Sequence, residues 1–344
     1  MVATISLCPI CYKKIPAFIT CKNGEAWMDK ECDVHGKFES MVEKDFQHFS
    51  NFYQKGTLGN NNAIIIHIID ECNMKCPWCY YPTKKGGKNK PLQYYDQLLR
   101  DAYPGFSLML SGGEPTIRKD YIEFTELAYR CGWNPSTITN MIKLSDDDFF
   151  KRTLNEAFIS ENNNYRFALS FQHPKNYSKE IFKQKKKALE NINKVGLKAS
   201  CLAFSIQSLD ELDFIKDFYD KTKHLYKMLR IRTMFNIWNN KGEKKMYLSE
   251  LHKAFLDKFS EYCPVQSKRI EQSNIYCLYM ETNEVNPISL SSAPTVDNVD
   301  YHLTSRPVYM LANDLRCYPV PLAQMINEGF SAGWKDGYKI MEVS

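Results

Sequence analysis

The sequence predicts an α/β protein built on a mainly parallel sheet, preceded by a small metal-stapled module and followed by an irregular, strand-containing segment. Three observations carry this. Between residues 63 and 260, apolar runs of strand length alternate with helical stretches through six units, a pattern that implies parallel strands joined by helical crossovers. The first 35 residues hold two paired-ligand knuckles, Cys8-x2-Cys11 and Cys32-x2-His35. Beyond residue 260 the alternation stops, and Pro287, Pro294, Pro307, Pro319 and Pro321 separate short extended runs.

Residues 1–50 are expected to form the separate module. A Cys-Pro-Ile-Cys knuckle leads into a strand-like run (Ile15–Thr20), a Lys22-Asn23-Gly24 turn, a second run, and then Cys32-Asp33-Val34-His35-Gly36. Residues 51–62, with Gly56, Gly59 and Asn60–Asn62, have the composition of a linker. The six strands expected in the main body are Ala63–Ile69, Ser107–Leu110, Ser136–Asn140, Arg166–Gln172, Ala199–Ile206 and Met228–Met234. The helices expected between and after them are Leu92–Tyr103, Arg118–Cys131, Asp146–Phe158, Ser178–Val195, Leu209–His224 and Leu248–Phe259. A sheet of this kind is either open or a partial barrel, and its ligand sites lie at the C-terminal strand ends. Residues 261–344 are expected to cap the substrate site.

Composition narrows the chemistry. With 344 residues, 44% hydrophobic and 13% aromatic, the chain can bury a full core without disulfides. The net charge of +5 permits an anionic substrate but gives no clear nucleic-acid or membrane signal. The lysine runs Lys84–Lys90 and Lys185–Lys187 are expected on solvated loop and helix faces. No apolar run reaches membrane-span length and no signal peptide is evident, so a cytoplasmic location is expected. Twelve cysteines in a reducing compartment point to metal rather than disulfides.

Two groups of cysteines have ligand spacing. Cys8, Cys11, Cys32 and His35 match a tetrahedral Cys3His site, as in zinc ribbons and rubredoxin-like centres, and ligand type alone leaves zinc and iron open. Cys21, between the knuckles, is expected in the core. The second group, Cys72-x3-Cys76-x2-Cys79, directly follows the first main-body strand. Three thiolates on one loop can hold three corners of a cubane cluster. With no fourth cysteine nearby, one iron is left open for a ligand. The bland alternative is a zinc loop, or an electron-transfer cluster completed by a distant residue such as Cys131.

Here the residues resemble the radical S-adenosylmethionine (SAM) superfamily, whose C-x3-C-x2-C loop follows the first strand of a (βα)6 partial TIM barrel. Trp78 stands at the family's aromatic position before the third cysteine. Ser111-Gly112-Gly113-Glu114-Pro115-Thr116, after the second strand, is similar to the Gly-Gly-Glu-Pro element that receives the SAM amino group. Glycine permits close backbone approach, and Glu114 offers an acceptor to an ammonium. Asn140, Ser170 and Gln172 fall at strand ends that contact the SAM ribose or carboxylate in the family, and Arg232 on the sixth strand could pair with a carboxylate. The resemblance implies a [4Fe–4S] cluster on Cys72, Cys76 and Cys79, SAM on its open iron, and one electron from a donor such as flavodoxin or ferredoxin. It further implies a 5′-deoxyadenosyl radical that takes hydrogen from an organic substrate.

The knuckle placed before such a core is similar to one subgroup of the superfamily, which includes archaeal tetraether lipid synthase and pterin-modifying methyltransferases. Those proteins are longer and carry further clusters. Here an auxiliary cluster would have to draw on the scattered Cys201, Cys263, Cys277 and Cys317, of which Cys201 sits in an apolar strand. The subgroup favours C–C bond formation or methylation of a lipid or small molecule. Modification of a peptide or protein is the alternative, and a non-enzymatic zinc or iron–sulfur protein a remote one. Tyr276, Tyr279, Tyr309 and Tyr318 are candidate substrate contacts.

Overall fold

The structure is a computed structural model that describes residues 1–11, 13–53, 63–76, 79, 89–101, 107–156, 166–233 and 246–262. It also describes the strand segments 277–280, 288–291, 307–311, 317–321 and 339–343. The N-terminal module is a four-stranded antiparallel meander: β1 (Val2–Leu7), β2 (Lys14–Lys22), β3 (Glu25–Cys32) and β4 (Gly36–Glu43). Asn23 and Gly24, both at positive φ, close the β2–β3 hairpin with Lys22 paired to Glu25, the two-residue turn that matches strand twist. Alternation along β2 and β3 buries Ala17, Ile19, Ala26 and Met28 in one small core.

Residues 51–53, expected in the linker, belong to a helix, and 54–62 lie outside the described residues. Helix α1 runs Phe46–Tyr53, and its Phe49 fills the same core. Cys21, expected to be buried, is exposed near the end of β2: it shares the strand face of Ala17 and Ile19, but burial on that face stops at Ile19.

The main body carries six parallel strands in sequential order: β5 (Ala63–Ile69), β6 (Ser107–Gly112), β7 (Pro135–Thr139), β8 (Arg166–Phe171), β9 (Cys201–Ile206) and β10 (Leu229–Thr233). The helices are α2 (Leu92–Asp101), α3 (Tyr121–Arg130), α4 (Asp147–Glu156), α5 (Lys179–Lys194), α6 (Glu211–Thr222) and α7 (Leu248–Lys258). Each expected strand and helix is present, with ends shifted by up to three residues. The largest shift at a helix start has a local cause: Pro115–Ile117 form a short 3-10 turn closed by Arg118, which delays α3 to Tyr121. One continuous apolar core joins strands and helices, from Ile66 and Leu108 through Phe171 and Phe204 to Phe255 and Leu290.

The C-terminal segment extends the sheet at both edges. β12 (Ile288–Ser291) runs parallel to β10, and β11 (Cys277–Met280) pairs antiparallel with β12. At the other edge β15 (Lys339–Val343) lies antiparallel to β5, followed outward by β13 (Pro307–Leu311) and β14 (Cys317–Pro321). The sheet therefore remains open, as a partial barrel does.

The module is docked on α7. Glu43, at the end of β4, is buried and accepts hydrogen bonds from Leu248 N (3.1 Å), Ser249 N (3.3 Å) and the Ser249 hydroxyl. A carboxylate at a helix N-terminus satisfies orphan amides and the helix dipole, worth about 1–2 kcal/mol. Lys44 pairs with Glu250 at 2.6 Å, and His48 Nε2 lies 3.1 Å from His252 Nδ1.

Burial, with the neighbouring His252, lowers the His48 imidazole to about 4, and burial lowers His252 as well. Unfolded histidine titrates near 6.5, so the unfolded chain binds more protons between those values and stability rises with pH there. Stability should therefore be complete above pH 6.5 and fall as pH drops towards 4. His48 keeps part of its solvent contact, so its share is on the order of 1–2 kcal/mol after screening. Denaturant unfolding of wild type and His48→Gln at pH 7 and 5 checks this: the variant should lose less stability than wild type over that range.

Candidate active site

The cluster loop leaves β5 at Ile69 and is held from both sides. Gly113 N donates to Ile69 O and Glu114 N to Glu71 O, both at 2.8 Å. A Cβ on Gly112 would meet Ile69 O at 2.2 Å, and one on Gly113 would meet Glu71 O at 1.9 Å. Gly112 also has φ +124°, a region that L side chains avoid. The two glycines are thus required by the approach of β6 to the cluster loop itself, an explanation the sequence did not reveal. Arg118, buried beneath, donates to Ile68 O (2.6 Å) and Lys90 O (2.9 Å) and pairs with Asp120. It pins the end of β5 to the chain that leads into α2.

Cys72, Cys76 and Cys79 line one cavity at the C-terminal ends of the strands. The cavity encloses about 1080 Å3, its open mouth included. Burial and the nearby Cys79 push the Cys76 thiol up to about 11, and burial raises Cys72 too. Crowded thiolates of this kind call for a cationic partner. Their spread differs from the N-terminal site, where the ligand atoms of Cys8, Cys11, Cys32 and His35 all lie within 4.8 Å of one another. A single tetrahedral ion with metal–sulfur bonds of about 2.3 Å needs that compactness. The triad forms no such tight group among the described residues, which suits a multi-iron cluster better than one ion. Cys131, the distant fourth-ligand alternative, closes α3 beside Asp96 (3.8 Å) and does not line the cavity.

Glu114 is the hub of the next layer. Only 1% exposed, its Oε1 accepts from Thr116 N (3.2 Å), Thr116 Oγ1 (2.6 Å) and Thr139 Oγ1 (2.7 Å), and its Oε2 accepts from Asn140 N (2.6 Å). Burial raises its carboxyl above the usual range, against these four donors. The carboxylate that the sequence offered to an ammonium is therefore already engaged in joining β6 to the end of β7. Asn140 in turn donates from Nδ2 to Asn73 Oδ1 (2.7 Å) and, at 3.8 Å, to Cys72 Sγ. Met141 follows at φ +75°, a costly conformation for a side-chain-bearing residue. It turns the chain while Asn140 keeps its contacts.

Lys185, expected on a solvated face, is instead 0% exposed. Its Nζ donates to Asn140 O (2.8 Å) and Ser170 O (2.7 Å). Burial lowers its ammonium to about 8, opposed by Cys76, Glu114 and Cys72, so it stays charged at neutral pH. The signal was present in the helix: Lys185 falls in the stripe of Ala188, Leu189 and Ile192, where a core residue belongs. The other expected strand-end residues also line the cavity. Gln172 donates to Ser170 Oγ (3.2 Å), and Arg232 Nε donates to Ser205 Oγ (2.8 Å). Arg230 faces the same cavity and was not singled out from the sequence. Cys201, expected in the core, is buried and contributes to the cavity wall. Pro115 is buried at the first position of its 3-10 turn. Trp78, Cys263 and Tyr276 lie outside the described residues, and Cys277, Tyr279, Tyr309, Cys317 and Tyr318 are described only in their backbone.

Residues 66–227 match the radical SAM superfamily, and residues 2–44 match the HMPTM N-terminal zinc ribbon domain. The chain thus carries a stretch similar to the radical SAM superfamily over somewhat less than half of its length. Its relatives include the 7,8-dihydro-6-hydroxymethylpterin dimethyltransferase of Methanocaldococcus jannaschii, 29% identical over 231 residues, which cover 56% of this chain and 44% of that protein. A PqqA peptide cyclase of Rhodopseudomonas palustris is 31% identical over 93 residues, covering 26% of this chain and 25% of that protein. This chain spans less than half the length of these relatives. The solved structure of Streptococcus suis SuiB bound to the precursor peptide SuiA aligns with a TM-score of 0.49 at 19% identity, covering 71% of this chain and 50% of that one. No helix among the described residues is long and apolar enough to cross a membrane.

Two outcomes are expected. Glu114→Ala strands the donors of Thr139 and Asn140, which costs about 1–3 kcal/mol per buried unsatisfied group. Thermal unfolding without SAM should show that loss, and an unchanged melting temperature would mean Glu114 is not the strap described. Separately, Cys8→Ala should remove one metal equivalent in elemental analysis while the absorbance of an assembled cluster persists. Loss of both together would contradict two independent sites.

Proposed function

We propose that this chain is a radical SAM enzyme that reductively cleaves SAM at a [4Fe–4S] cluster held by Cys72, Cys76 and Cys79. The observation that carries this is the meeting of the three thiols, Gly112, Gly113, Glu114 and Asn140 on one cavity at the C-terminal strand ends. When bound and reduced, the cluster would supply the one-electron cleavage that yields a 5′-deoxyadenosyl radical. The protein's part is to bind and orient. Gly112 and Gly113 hold the cluster loop against β6. Asn140, Ser170 and Gln172 offer polar groups to the SAM ribose and carboxylate, and Trp78 would frame the adenine. Glu114 keeps Oε2 with a single protein donor, so that oxygen can accept from the SAM ammonium as well. Arg232 is a further candidate for a carboxylate. Lys185 places a buried positive charge behind the thiolates, which offsets their mutual repulsion.

The favoured reaction is C–C bond formation or methylation of a small molecule or lipid. Of the two relatives compared above, the one named as a pterin dimethyltransferase matches the longer stretch of this chain. Modification of a peptide is the second reading, and the 93-residue match to a peptide cyclase favours it. We assign zinc to the Cys3His knuckle, as a staple that lets the module brace the barrel through α7. The electron would come from a flavodoxin- or ferredoxin-type donor in a reducing, cytoplasmic setting.

Anaerobically reconstituted protein with dithionite and SAM should form 5′-deoxyadenosine and methionine. Replacing Cys72, Cys76 and Cys79 together by alanine should abolish both that product and the broad visible absorbance of the cluster. Product formation by the triple variant would overturn the reading.

A further inference from the structure

The wall of the cavity formed by β10 carries two arginines, more positive charge than a single SAM carboxylate would take. Along β10, Leu229, Ile231 and Thr233 turn into the protein, while Arg230 and Arg232 line the cavity. The two arginines are two residues apart on one face, roughly 7 Å along the strand. They stand in register with Ala203 and Ser205 of β9 on one side and Ser289 and Ser291 of β12 on the other. Arg232 is steadied by Ser205 at 2.8 Å. Arg230 makes no hydrogen bond or ion pair among the described residues, although it is half-buried.

A partly desolvated guanidinium without an anion is costly, and none of the described residues compensates it. Among the described residues lining the cavity the only carboxylate is Glu114, which belongs to β6 and β7 and already accepts four hydrogen bonds. The small Ala203 stands beside Arg230 in register, and Ala168 and Cys201 are further small residues of the cavity lining.

We propose that Arg230 and Arg232 anchor a phosphate group carried by the substrate. Two planar forks converging from one strand supply two positive charges and more donors than one carboxylate can accept, whereas a phosphate monoester offers a dianion with three oxygens. The apolar remainder of the cavity, with Met109, Ile138 and Leu169, would take the body of the molecule. The inference rests on the radical SAM reading for what is done to that substrate, but the anchor can be tested without turnover.

The test uses the reconstituted full chain at fixed ionic strength and measures the affinities of inorganic phosphate, glycerol 3-phosphate and SAM separately by calorimetry. Wild type should bind both phosphates saturably, with glycerol as a silent control. Arg230→Gln should weaken phosphate binding at least tenfold, and Arg230→Lys, which keeps the charge and loses the fork, should fall between them. SAM affinity should stay within twofold in both variants, and circular dichroism with cluster absorbance certifies folding. Tighter binding of a short-chain phosphatidic acid than of glycerol 3-phosphate would assign the anchor to a lipid headgroup; equal binding would assign it to a soluble ester. The proposal is overturned if wild type does not bind phosphate saturably, or if Arg230→Gln binds it equally well. It is also overturned if SAM affinity falls in parallel, because the arginines would then serve the SAM carboxylate. Phosphate binding that depends on Arg230 in a protein unable to form 5′-deoxyadenosine would instead defeat the radical SAM reading and leave the anchor standing.

Discussion

The site depends on how closely the backbone of β6 approaches the loop that leaves β5. Gly113 N and Glu114 N each donate to that loop at 2.8 Å, a contact that a single methyl group at either glycine would block. The described residues of the loop carrying Cys72, Cys76 and Cys79 form neither helix nor strand, so their position is inherited from this contact. Arg118 adds a second fixing from below by bonding Ile68 O and Lys90 O. A loop with three thiols can present them in one geometry only if its two ends cannot move relative to the sheet.

From that contact the order spreads across the strand ends. Glu114 ties β6 to Thr139 and Asn140 of β7, and Lys185 ties Asn140 to Ser170 of β8. An acid and a base, both buried, thus bridge three successive strands without forming a direct pair. Each is satisfied by hydrogen bonds, which is the condition for tolerating such groups in a low-dielectric interior. Removing either would leave backbone groups beside the cavity without partners, so structural and binding roles are superimposed at the same atoms.

Much of the fold was legible because the signals were periodic or local. Six strand–helix units, the Asn23-Gly24 turn and the knuckle spacings all express short-range rules. What stayed hidden depended on facing surfaces. Lysine at 185 looks solvated when read as part of a lysine run, yet its helical phase places it with Ala188, Leu189 and Ile192. The glycines were legible as needing a close approach, but the approaching partner is the protein's own chain. Arg230 escaped notice because alternation with Leu229 and Ile231 reads as an ordinary half-buried strand, and only the small residues of β8 and β9 opposite it make a cavity there.

The placement of the N-terminal module bears on what its metal can do. The module grips α7 through Glu43, Lys44 and His48, and α7 follows β10. The cluster loop follows β5, five strands away in the sheet order, roughly 24 Å along the sheet at about 4.8 Å per strand. A relay of electrons would call for the knuckle to face the cluster, whereas a brace calls for it to stiffen an edge. The side of the sheet it reaches holds β12, the neighbour of the strand that presents Arg230 and Arg232, and α7 packs against β12. That placement supports the proposed reading of the knuckle as a closed metal site that acts as a brace, stiffening the backbone beside the arginines.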